Sequence, residues 1–120
     1  MLPGQHRVTR GEEFALVIRR GVRAGRPTLV VHLLLEDESR LCGDPGPRAG
    51  FVVSKAVGNA VVRNRVVRRL RHAMGELLPT MPTGALVVVR ALPPAAAAGA
   101  ELVDDLAGAL ATARRKGRRR

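Results

Sequence analysis

Arg63, Arg65, Arg68, Arg69 and Arg71 place five guanidinium groups within nine residues. From Arg48 to His72 there are seven Lys or Arg and no Asp or Glu. A guanidinium presents a planar fork of N–H donors that fits a phosphate bidentately and also stacks on a base. A cluster of this kind repels itself unless a polyanion lies against it. The chemistry offered is phosphate binding, and RNA or DNA is the polyanion that fits. Catalytic chemistry has less to work with. His6, His32 and His72 have no metal-ligand spacing with one another or with the acids. Asp104-Asp105 is the close carboxylate pair of the last expected helix. A protein nuclease needs a general acid and base, or carboxylates for two metals. Cys42 is the single cysteine, which excludes an internal disulfide and a cysteine zinc cluster.

The charge is concentrated. Net charge is +11 over 120 residues, with 19 arginines and two lysines. Residues 48–72 and the tail 114–120 hold the two purely basic blocks, whereas 36–47 and 73–113 are each net acidic. Apolar residues make up 46% and aromatics 2%. The chain is therefore a globular one whose core must be Val, Leu, Ala and Ile. Its longest apolar run, near Leu29–Leu35, is far short of a membrane span. The start of the chain lacks the apolar stretch of a secretory signal, so a cytoplasmic location is expected.

The arginines must be positioned by a helix. Asn59 can cap it, and it should end near Leu78, before Pro79. Val62, Val66, Leu70, Ala73 and Leu77 fall within about 80° of one another on that helix, forming the core stripe. Asn64, Arg65, Arg68, Arg69, Arg71 and His72 fall on the other side, and Arg63 projects toward the apolar sector. Ser54 and Lys55 lie between a strand, Arg48–Ser54, and the helix N-terminus, a natural phosphate site. Elsewhere, Thr9-Arg10-Gly11-Glu12 fits a capping box. It opens a helix carrying Phe14, Val17 and Ile18 on one face, with Gly21 as the stop. Thr28–Leu35 and Ala85–Leu92 read as strands, with a short strand possible around Arg40–Cys42. A last helix runs from about Glu101 to Arg115. The pattern is α+β, a two-layer α/β sandwich of order α-β-β-β-α-β-α. It forms one domain over residues 1–113, with a basic, disordered tail at 114–120.

Ser54-Lys55, Gly58-Asn59-Ala60-Val61, Arg63-Asn64-Arg65 and Arg68-Arg69-Leu70-Arg71 together resemble the protein subunit of bacterial ribonuclease P. Arg7-Val8, Glu13-Phe14 and Gly21 before a strand are also similar, and the element order covers almost the whole chain. The resemblance implies a left-handed βαβ crossover, contrary to the usual hand. It implies that the chain has no catalytic residues of its own. A partner RNA subunit, holding Mg²⁺, would cleave the 5′ leader from precursor tRNA. The residues that match its RNA-subunit contacts are Ser54, Lys55, Asn59, Arg63, Asn64, Arg65, Arg68, Arg69 and Arg71. Those that match its leader-binding cleft are Phe14, Ile18, His32 and Val52. The chain departs from the family pattern at Ala56, where a second lysine is common, and at Ile18, where a second Phe is common. A ribosomal-type or general RNA-binding module is the alternative that shares the charge pattern.

Overall fold

The computed structural model describes residues 11–35, 47–82 and 84–118. The capping box at Thr9–Glu12, His6 and the strand expected around Arg40–Cys42 lie outside the described residues or side chains. Helix α1 spans Gly11–Arg20 and strands β1 and β2 span Val22–Gly25 and Leu29–Leu34. Strand β3 (Arg48–Val52), helix α2 (Ala60–Leu77), strand β4 (Leu86–Ala91) and helix α3 (Glu101–Arg118) follow. The order is α-β-β-β-α-β-α, as expected, but the additional described strand is Val22–Gly25. Four residues containing Arg23 and Gly25 show no apolar run. They become a strand because β2 supplies the ladder across a tight hairpin, closed by Arg26 N donating to Leu29 O at 2.8 Å.

The strands lie in the order β1-β2-β4-β3. β1 and β2 pair antiparallel, β2 and β4 antiparallel, and β3 and β4 parallel. The parallel pair needs a crossover, and α2 makes it. Central β4 reads Leu-Val-Val-Val because it is covered on both faces. On one face, α2 and α3 pack over Leu29, Val31, Leu33, Val87 and Val89 with Leu70, Met74, Leu102 and Leu106. Each fully buried Leu there contributes about 1.5–3 kcal/mol. On the other face, α1 lays Val17 and Phe14 over Leu34, Leu86, Val88 and Val52. The sandwich of sheet and paired helices thus carries one further helix on its back.

Gly21 stops α1 because two backbones meet there. Its N–H donates to Val17 O at 2.8 Å. A Cβ at this position would sit 2.5 Å from Val17 O and 2.7 Å from Leu33 O. Neither oxygen can move without breaking the helix end or the strand. Gly21→Ala is therefore expected to cost about 1–3 kcal/mol, read as a lower midpoint in urea unfolding. An unchanged midpoint would show that α1 does not dock this tightly.

The end of α3 differs from expectation. The tail does not begin at Arg114; the helix continues to Arg118. Lys116 Nζ donates to Arg23 O at 2.8 Å. Gly117 lets the last turn approach Leu35 and Val22 so closely that a Cβ would lie 2.6 Å from Leu35 Cδ1. These contacts across β1 carry the helix through a run whose charge alone argues for solvation.

Candidate nucleic-acid interface

Helix α2 starts at Asn59, whose Oδ1 accepts from Val62 N at 3.0 Å. Ser54, Lys55 and Ala56 are exposed in the turn before it, where Val57 N donates to Ser54 O at 3.1 Å. The first turn of α2 holds no acidic residue. Its positive end and Lys55 therefore face the same solvent. Val66, Leu70, Ala73 and Met74 are buried, and the arginines divide into three groups around that stripe.

Asn64 and Arg68 lie opposite the core and are exposed. Arg65 and Arg69 lean over one flank onto the connector before α3. Arg65 Nη2 donates to Ala96 O at 3.4 Å, and Arg69 donates to Ala98 O at 2.7 Å and to Gly99 O. The guanidinium groups thus serve carbonyls at the end of the 3-10 turn Pro93–Ala97 and in the link that follows it. Arg69 thus ties α2 to the start of α3, a role its place in the charge cluster does not announce. Arg63 and Arg71 lie on the other flank, half-buried. The Nε of each is buried without a hydrogen-bond partner. Leaving such a donor unmet costs about 1–3 kcal/mol. Nε with one Nη is also the edge that grips phosphate as a fork. Val61, at 72% exposed, is the most open large apolar side chain of this helix.

The back of the sheet forms the second surface. Arg23, His32, Val88 and Gly50 are register partners across the four strands. Gly25, Val30, Arg90 and Val52 form the adjacent row. α1 packs mainly against β2 and β4. The face beside α1, the trough, exposes Arg23, Gly25 and Arg90, whereas Val30, His32, Val88 and Gly50 are buried. Phe14 and the 40% exposed Ile18 stand on its helical wall, and His32 and Val52 form part of its floor. Arg23 and Arg90 rise exposed from the floor, and Arg48 shares their side of the sheet beside Leu86. Sequence reasoning assigned none of these three to the trough. Alternation places Arg90 on the face of Leu86 and Val88. That this is also the face of His32 depends on β4 lying beside β2.

Burial first, and then the positive charges of Arg90 and Arg23, hold the His32 pKa below the ordinary imidazole value. Its folded pKa lies below its unfolded one, so the folded state binds fewer protons. The contribution is full above the unfolded value of about 6.5 and is lost as pH falls from there through the lowered folded value. His32→Gln should flatten the fall in Tm between about pH 7 and pH 5. Equal slopes for the two proteins would contradict this placement of His32.

The two carboxylates of the pair have different surroundings. Asp105 Oδ2 accepts from Thr28 N at 3.2 Å and from Thr28 Oγ1 at 2.7 Å. It anchors α3 to the hairpin, while Asp104 faces solvent. Among the described residues no three His, Cys, Asp or Glu come together as metal ligands. Nor is any described helix long and apolar enough to cross a membrane.

Comparison with known proteins identifies the family. The ribonuclease P family model matches residues 2–114. The chain belongs to the ribonuclease P protein family. It is similar to the ribonuclease P protein component of Streptomyces griseus, with 57% identity over 92% of this chain and 93% of that one. The same component of Corynebacterium diphtheriae is 50% identical over 97% and 99%. Among solved structures, the Staphylococcus aureus RNase P protein superposes with a TM-score of 0.75 at 25% identity, over 90% of this chain and 94% of that one. The chain is thus a protein subunit of ribonuclease P, a component of the endoribonuclease that processes tRNA. Membership in that ribonucleoprotein makes the RNA subunit its partner.

Proposed function

We propose that the two surfaces divide the work of this subunit. Arg63, Asn64, Arg65, Arg68 and Arg71, with Lys55 and Ser54 at the helix start, dock the RNA subunit. Arg69 and Asn59 hold that surface in shape, through the Ala98 and Gly99 carbonyls and the Val62 amide. The trough of Phe14, Ile18, His32 and Val52 takes the single-stranded 5′ leader of precursor tRNA. A base stacks on Phe14, and Arg23, Arg48 and Arg90 take the phosphates between bases.

The observation that carries this reading is a helix that presents exposed Asn64, Arg65 and Arg68 and half-buried Arg63 and Arg71 with no acidic residue before Glu76. A solvated face mixes signs at i±4 and leaves its polar atoms in water. In this reading Mg²⁺ belongs to the RNA. It supplies the charge stabilisation and the activated water for cleavage, and no step is assigned to this chain's residues. The protein lowers the Mg²⁺ needed by neutralising phosphates that the ion would otherwise screen.

Cleavage of precursor tRNA at low Mg²⁺ by the chain alone, by the RNA subunit alone, and by both tests the proposal. Cleavage is expected only with both. Cleavage by the chain alone would overturn it. No gain over the RNA alone would leave a general RNA-binding module.

A further inference from the structure

We propose that the cations where α3 crosses the outer edge of β1 extend the trough and hold leader nucleotides beyond those lying over the sheet. The inference rests on the leader-binding reading above. Arg23 joins the two regions. Its side chain shares the register row of His32 on the trough side, and its carbonyl receives Lys116 Nζ from α3 on the other side. Arg115 is exposed beside Lys116. Arg26, at the hairpin turn, reaches Thr112 Oγ1 at 2.9 Å across the space left by Gly108. From Leu106 to the end of the chain there is no acidic residue.

Satisfying the carbonyl end of α3 requires cations only in its last turn. That requirement accounts for neither Arg23 nor Arg26. The cations follow a line that bends around a strand edge, with a rigid helix holding its far end. A stiff duplex cannot follow such a bend, whereas a single strand can. Continuity with the trough identifies that strand as the leader.

The test measures precursor affinity of the reconstituted holoenzyme, with leaders graded from about 4 to about 16 nucleotides. The wild type is compared with R115Q/K116Q. For long leaders the variant should bind about fivefold more weakly, with a salt slope lower by about 1.4, as two lost contacts to a single strand require. Its affinity for short leaders and for the RNA subunit should match the wild type. Arg115→Gln alone keeps the Lys116–Arg23 bond and should show about half the slope change, which guards against unravelling of the last turn. Equal weakening at every leader length would overturn the proposal in favour of a contact to the RNA subunit. A lowered Tm with unchanged affinities would overturn it in favour of a purely structural helix end. Wild-type affinity that does not depend on the leader at any length would instead defeat the trough reading itself.

Discussion

Arg63→Ala and Arg71→Ala are each expected to weaken binding of the RNA subunit by about 1.5–3 kcal/mol, the range for a charge-assisted hydrogen bond. Neither should lower Tm. Each Nε is buried without a partner, so truncation removes an unmet donor from the folded protein rather than a bond. Lysine should rescue poorly, because a point charge lacks the two-pronged edge. Each alanine variant should also reduce the slope of log K against log salt by about 0.9 for contacts to duplex RNA phosphates, taking the double-helical DNA value. Arg69→Ala provides the contrast. It breaks bonds to Ala98 and Gly99, so Tm should fall while the salt slope changes less. If Arg63→Ala lowers Tm and spares RNA affinity, Arg63 is a side chain packed past the sheet and the docking surface lies elsewhere.

Phe14 should govern discrimination rather than assembly. Loss of one stacked base costs about 1–3 kcal/mol. Phe14→Leu keeps apolar cover over Val17 and Leu86 but removes the ring. It should reduce the preference for precursor over mature tRNA by roughly 5- to 150-fold on that range, with RNA-subunit affinity intact. Phe14→Tyr should retain the preference. Titration of precursor and mature tRNA against each holoenzyme reads both quantities. A loss of RNA-subunit affinity in Phe14→Leu, with the preference kept, would place α1 at the docking surface instead.

Much of this was legible along the chain because helical periodicity is a local property. The stripe Val62–Leu77 and the Asn59 cap gave α2 its bounds to within a residue or two, and with them the half-buried position of Arg63. Other features depend on contacts between distant segments. β1 exists because β2 folds back on it; nothing in Val22–Gly25 alone demands a strand. Arg90 belongs to the trough because β4, the last strand in sequence, inserts between β2 and β3. Arg69 lies as near the core stripe as Arg63 by helical spacing, but its partners, the connector carbonyls, come from a distant segment. The basic end of α3 is helical because Gly117 and Lys116 meet Leu35 and Arg23, residues more than 80 positions earlier.

The central claim is that one sheet separates a surface for the RNA subunit from a trough for the leader. The measurement that tests it most directly is the affinity of the RNA subunit for precursor and for mature tRNA, with and without this protein. The protein should tighten binding of the precursor and leave that of mature tRNA nearly unchanged. Equal tightening of both would contradict it, since charge neutralisation alone would then explain everything the protein does.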